Sequence, residues 1–472
     1  MRRQRPWRRF PAVAALVALA AAGRLVGPPV AAAMGPLEVL ASNPRYFTDG
    51  TGRAVYLTGS HHWSSLVDIG PTDPPAPFDF TAYLDRLQAM NHSFIRLWAW
   101  ELTRHIADGE PRFIRPHPWA RTGPGTALDG KPRFDLTRFD PAYFERLRAR
   151  VQAAAERGLY VAVMLFEGWA LQRSEAPWRW HGHPFHPRNN VNGIDADADG
   201  DGRGLEVHTL AVPAVTRIQE AYVARVIDTL NDLDNVLYEI ANEAGAYSTA
   251  WQYHMIRFVK DYQARKPRQH PVGMTFQFRG GRNSTLYAGP ADWVSPDSTP
   301  SEPYLTDPPA ATGAKVLLSD TDHLCGLCRR EHRTPADARA WVWKSFLRGL
   351  NPIYMDPLDD HPVREAARRA MGQTRAWAAR IDLAAMAPRN TLASSGYCLA
   401  TASASPEEYL VYLPRSRSVT VDLSATSGPV SVEWFHPRTE RTLTARPVEG
   451  GAPRSFTSPF GPDAVLYLRA AR

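Results

Sequence analysis

The sequence predicts a (β/α)₈ TIM barrel followed by a small all-β sandwich. Three observations lead there. Eight short, nearly continuous apolar runs recur between residues 54 and 356, as strands buried on both faces do. Stretches of helical apolar spacing fall between several of them, the alternation of a parallel α/β fold. From about residue 391 the texture changes to short strands of alternating character separated by turn residues. A chain of 472 residues can carry a large core and a second module. The expected division is a signal peptide over 1–33, the barrel over 34–390 and the sandwich over 391–472.

The N-terminus reads as a targeting segment. "MRRQRPWRRF" is a basic region, "AVAALVALAAAG" a short apolar run and "PVAAAM" a small-residue cleavage site. About a dozen apolar residues are few for a bilayer span. The mature protein is therefore expected outside the cytoplasm, secreted or periplasmic, with no membrane contact after cleavage; an uncleaved anchor is the rival reading. Six arginines before residue 34 account for nearly all of the formal charge of +7. The charge therefore gives no reason to expect a nucleic-acid partner.

Next, "LEVLASNPRYFTDGTGRAVYLTG" reads as a hairpin turning at Asp49-Gly50. The strand candidates are "AVYLTGSHH" (54–62), "FIRLWAWE" (94–101), "YVAVMLFEG" (160–168), "VLYEIANE" (236–243), "PVGMTFQF" (271–278), "WVSPD" (293–297), "KVLLSD" (315–320) and "PIYMD" (352–356). Helices are expected at "FTAYLDRLQAM", "PAYFERLRARVQAAAERG", "VTRIQEAYVARVIDTL" and "RTPADARAWVWKSFLRG". Those after strands five and six are weak. A doubly wound open sheet is the alternative, but no glycine-rich phosphate loop follows the first strand. "GYCLATASASPEEYLVYLPRSRSVTVDLS" and "PVSVEWFHPRTERTLTA" supply the sandwich strands.

The chemistry lies where the strands end, because βα loops can vary there without disturbing the packed interior. The ends carry His61-His62, Arg96 with Glu101, Glu167, Asn242-Glu243, Asp297, Asp320 with Asp322, and Asp356. Any one acid could be an ordinary loop residue; many on one rim point to a site. Glu243 and Asp320, on strands four and seven, can face each other across a cleft. Two carboxyl groups about 5 Å apart suit retaining glycoside hydrolysis, and a wider gap that admits water suits inversion. Arg96 nearby would lower the pKa of the nucleophile.

The ending "YEIANE" resembles the Asn-Glu signature of the cellulase-like clan A of (β/α)₈ glycosidases. "NPRYFTDGTGRAVYLTGSHHW" and "SVEWFHPRTERTLTA" are similar to the apiosidase-like glycosidases, in which a small sandwich often labelled collagen-binding follows the barrel. The resemblance implies an O-glycosyl hydrolase with a carbohydrate substrate. It makes Glu243 the acid/base, Asn242 the holder of the sugar's 2-hydroxyl, and Arg96 the neighbour of the nucleophile. Where the clan has its glutamate nucleophile after strand seven, "KVLLSDTDH" offers Asp320, which is expected as the nucleophile of a retaining reaction, with Asp322 and His323 beyond. Aspartate is one methylene shorter, so the stereochemical outcome stays open.

Other features add expectations. "DADADGDGRGLE" (195–206) has the spacing of a calcium loop, with Asp195, Asp197, Asp199, Asp201 and Glu206 as ligands and Gly200 at the turn. A structural calcium ion ordering the loop between strand three and its helix is the expectation; Gly202 stands where such loops carry an apolar residue, and a solvated acidic loop is the alternative. No organic cofactor is expected. Sugar faces stack on aromatic rings, and Trp63 and Trp169, after strands one and three, are the expected platforms. Substrate contacts are also assigned to His62, Glu167 and Asp322. Adjacent residues on a strand point to opposite faces, which argues against a metal shared by His61 and His62. "CGLC" (325–328) reads as a local disulfide or two inert thiols. Two alternatives to a glycosidase stay open. One is a carbohydrate-binding barrel whose chemistry has decayed; the other is a metal-dependent hydrolase built on His61, His62, Asp320 and His323.

Overall fold

The computed structural model describes residues 35–107, 109–173, 177–324 and 334–471. The expected signal peptide and the Cys325/Cys328 pair lie outside the described residues.

Eight parallel strands form one sheet: Gly59–His61, Phe94–Leu97, Tyr160–Glu167, Val236–Asn242, Val272–Thr275, Trp293–Ser295, Val316–Asp320 and Asn351–Met355, numbered one to eight in chain order. Strand eight pairs with strand one, Ile353 opposite Gly59. A parallel bridge between His62 and Leu97 joins strands one and two and closes the ring. All eight strand candidates fall on these strands.

Helices Phe80–Ala89, Pro141–Ala155, Pro213–Leu230 and Thr249–Gln263 follow strands one to four, and Pro335–Leu347 and Pro362–Arg380 follow strands seven and eight. After strand five there is only Asn283–Ala288, and residues 296–315 after strand six form no helix. Four of these helices carry proline in their first turn, where its missing N–H costs no hydrogen bond. Asp140 and Thr334 cap two of them by accepting the N–H of Ala142 and Asp337. Part of the chain's 41 prolines thus marks helix starts.

The barrel interior is layered by the two-residue period of its strands. At the N-terminal ends Phe94, Leu237 and Leu318 pack together with Trp293, and the hairpin residues Leu37 and Phe47 plug that end. Gly273 on strand five leaves the space that Trp293 fills; a Cβ there would lie 1.9 Å from the indole. Two residues further along the same faces stand Arg96, Glu239 and Asp320. The side chains that face inward therefore change from apolar to charged within one step of the pleat.

The mouth is walled by parts that apolar periodicity does not reveal. Arg104–Ala107 and Glu110–Arg115 form a hairpin that also pairs with Asp68–Gly70. Trp119–Thr126 and Pro132–Phe139 form a second hairpin with two register shifts. These strands are rich in Arg, Pro and Gly and are largely exposed on one face.

The C-terminal region is a six-stranded antiparallel sheet that begins at Met386–Pro388, together with the two-stranded sheet Ser418–Val421/Arg454–Thr457. Trp434, Leu466 and Val411 point into its own core. Their neighbours Phe435, Tyr467 and Tyr412 point the other way and join the barrel core.

Candidate active site

Arg96 is the hub. Its Nε and Nη2 donate to the two oxygens of Glu239 at 2.8 and 2.5 Å. Nη2 also reaches Asn242 Oδ1 at 2.9 Å, and Nη1 reaches Asp320 Oδ2 at 2.9 Å and Asp322 Oδ2 at 3.1 Å. Arg96 lies over the Trp98 ring, 5.0 Å from its centroid. Only a guanidinium offers five donors in a rigid fork, which is why one side chain can tie strands two, four and seven together. Because it only donates, the amide oxygen of Asn242 faces it and the NH₂ turns away.

Asp320 is sealed. Its Oδ1 accepts from His61 Nε2 and from the backbone N–H of Asp322, both at 2.9 Å, and Oδ2 accepts from Arg96. The Trp98 indole donates to His61 Nδ1 at 3.0 Å. An indole can only donate, so the His61 proton sits on Nε2, toward Asp320. Burial would raise the Asp320 carboxyl, but His61 and Arg96 hold it well below the usual range. Asp322 differs. Burial and the charge of Asp320 push it up to about 6 against the pull of Arg96. His323, held low at about 3 by burial, joins Ser295 Oγ (2.8 Å) to Asn242 Oδ1 (3.4 Å).

Glu243 is half-buried, and its φ of +49° turns the chain out of strand four. Its carbonyl accepts from Gln172 Nε2 at 2.7 Å. Gly168 lets the ends of strands three and four meet, since a Cβ there would lie 2.5 Å from Ala244 Cα.

Glu167 is buried and folds back on the helix Trp169–Arg173, accepting the N–H of Trp169 at 2.7 Å and of Ala170 at 3.1 Å. Burial pushes it up to about 8. Glu101 lies beneath it and accepts the Glu167 N–H at 2.9 Å and His208 Nε2 at 2.7 Å. Burial opposes its charge, but His208 and His183 hold it near 2. Trp169 stands edge-on to Trp100 and His105. Trp63 stacks on His62, whose other neighbour is Phe78. His61 therefore points into the barrel while His62 packs among aromatic rings, as adjacent strand residues must. Arg96 also occupies the space among Asp320, Asp322 and Glu239, where a metal ion would be repelled by its charge.

In the acidic loop, oxygens of Asp197, Asp199 and Glu206 lie within 4.8 Å of one another. Asp195, Asp199 and Asp201 accept the backbone N–H groups of Asp197, Asp201 and Arg203, and Asp197 Oδ2 accepts that of Gly202. Asp197 Oδ1 and Glu206 Oε2 are buried and accept no hydrogen bond among the described residues.

Sequence reasoning did not single out Glu239 or Trp98, nor the pairing of Glu101 with His208. Glu239 left a signal: a carboxylate inside an apolar strand needs a buried cation, and Arg96 has the same anomaly on strand two.

A closed parallel barrel with charge at the C-terminal ends of its strands and a β-domain behind it is a recurrent enzyme architecture. Residues 102–277 match the family described as a domain of unknown function, DUF6298, and residues 386–469 match the "Putative collagen-binding domain of a collagenase". The fold is similar to that of a glycoside hydrolase at TM-score 0.56 and 12% identity, covering 93% of this chain and 97% of that one. It is also similar to a glycoside hydrolase family 5 protein from Bacteroides vulgatus at TM-score 0.59 and 12% identity, covering 92% and 94%. No curated protein matches the sequence. The chain thus shares the barrel-plus-β-domain architecture of these hydrolases.

Proposed function

We propose that the chain is an exported glycoside hydrolase that cleaves O-glycosidic bonds in a poly- or oligosaccharide. The observation that carries this reading is the Arg96 hub, which gathers Asn242 of strand four and the carboxylates after strand seven on one rim, with Glu243 next in the chain. Glu243 gives its proton to the leaving oxygen. A carboxylate from strand seven meets the sugar from the other side, and water completes the hydrolysis. The Asn242 NH₂, turned away from Arg96, donates to a sugar hydroxyl. Trp63 and Trp169 offer ring faces, and the architecture shared with glycoside hydrolases supports the class.

The test is product release from a panel of polysaccharides and aryl glycosides by the mature protein and by Glu243→Gln. One sugar class should be cleaved, and the variant should lose about 10²–10⁴-fold in rate while staying folded, the usual contribution of a general acid. Binding of a glycan without turnover by wild type would instead make this a carbohydrate-binding barrel.

The acidic loop is proposed to hold a structural cation on Asp197, Asp199 and Glu206, whose all-oxygen donor set and two unpartnered oxygens suit calcium. Calcium should raise the melting temperature of wild type and leave that of Glu206→Gln unchanged; equal shifts in both would reject the site.

A further inference from the structure

Strand seven delivers two carboxylates, and they are not equivalent. The Asp320 side chain keeps 0% of its surface exposed, and that of Asp322 keeps 7%. Asp320 accepts three hydrogen bonds, from His61, Arg96 and the Asp322 backbone. To meet a substrate it would have to break one of them inside a closed interior, where an unmade bond to a charged group costs most. Asp322 lies two residues further along the chain, in the short helix Thr321–Leu324 that leaves the strand. Only its Oδ2 is engaged by Arg96, at 3.1 Å, and Oδ1 accepts no hydrogen bond from any described residue.

From this difference, and resting on the glycosidase reading above, we propose that Asp322 is the strand-seven carboxylate that meets the anomeric carbon, and that Asp320 is a positioning residue. Arg96 Nη1 donates to both, so the buried Asp320 fixes the guanidinium that aims Asp322. In the first step an Asp322 oxygen bonds to the anomeric carbon while that carbon's bond to the leaving oxygen breaks. The leaving oxygen takes the proton of Glu243. In the second step water bonds to the same carbon and gives a proton to Glu243, and the ester to Asp322 breaks to return the carboxylate. The anomeric configuration is retained. The groups facing Asp322 are Arg96, Asp320, His61 and His323. Removing the negative charge of Asp320 therefore makes Asp322 easier to ionise.

Two readouts test this. Carbodiimide activation of the folded wild-type protein in the presence of an amine, mapped by fragment mass spectrometry, should label Asp322 and spare Asp320; label on Asp320 overturns the assignment, with or without a known substrate. On a cleaved substrate, Asp322→Ala should lose about as much rate as Glu243→Gln, and azide should restore turnover as a glycosyl azide. Asp320→Asn should keep measurable activity with the acid limb of its pH profile moved to lower pH. Azide rescue of Asp320→Ala alone overturns the proposal while leaving the glycosidase reading intact. If wild type cleaves nothing, that reading fails, and the labelling still decides which carboxylate faces the mouth.

Discussion

Arg96 donates to Glu239, Asn242, Asp320 and Asp322 while only 1% of it meets solvent. Replacing it by Met would leave buried carboxylates without their cation, so Arg96→Met should cost about 3–5 kcal/mol in urea unfolding. Arg96→Lys should not restore it, since an ammonium cannot span four acceptor residues on and just after strands four and seven. The same crowding sets a pH dependence. Three carboxylates share one guanidinium; against burial, His61 and Arg96 hold Asp320 low, while burial and the charge of Asp320 push Asp322 up to about 6. Its ionised form is the competent one, so kcat/KM should fall as pH drops below about 6; a flat profile from 5 to 8 would contradict that role. At this scale the sequence was informative about Asn242, Glu243, Arg96 and the pair Asp320/Asp322. It could not say which aspartate is sealed, because that depends on where His61 and the backbone of Asp322 point.

Among the elements, the short helix Trp169–Arg173 begins against the buried carboxyl of Glu167. Burial holds that carboxyl near 8, whereas an unfolded glutamate titrates near about 4.3. Between those values the folded state keeps a proton that the unfolded state has lost, so this group makes stability fall as pH rises through that window. Glu167→Gln should remove that slope, and its melting temperature should gain on wild type between pH 5 and 8. Gly273→Ala tests strand five: with Trp293 already in the space, it should cost about 1–3 kcal/mol or more by overpacking. The barrel strands were legible because burial on both faces leaves continuous apolar runs. The two hairpins over 104–139 were not, since strands with one wet face, prolines and register shifts lack a clean two-residue period.

The molecule as a whole is one packed body. Phe435 and Tyr467 of the C-terminal sheet pack on Trp377, and Phe435 and Tyr412 pack on Trp343. Arg339 reaches across to Asp463 at 2.7 Å, and the Tyr397 hydroxyl donates to Asp307 at 2.7 Å. This face of the sheet is committed to the barrel helices and is not open to another partner. Barrel and sheet should therefore unfold in a single calorimetric transition. Phe435→Ala should lower its midpoint by the equivalent of about 3–5 kcal/mol, and a separate, unshifted barrel transition would show the two units to be independent. The change of texture near residue 391 revealed a second module. That its central strands Glu408–Leu413 and Ala464–Ala470 are buried on both faces, one side for the sheet's own core and one for the barrel, emerges only once the sheet is set against the helices.

Local patterning thus determined what this chain is built from: eight buried strands, the helices between them, the β-module and a set of charged strand ends. Such patterns follow from the chain's own periodicity and need no partner. Tertiary structure decided which charges meet. Glu239 and Asp320 lie 143 and 224 positions from Arg96 along the chain, and only closure of the barrel brings the three together. Closure also buries Asp320 and leaves Asp322 at the mouth, a distinction set by solvent access, which no spacing of residues along the chain encodes.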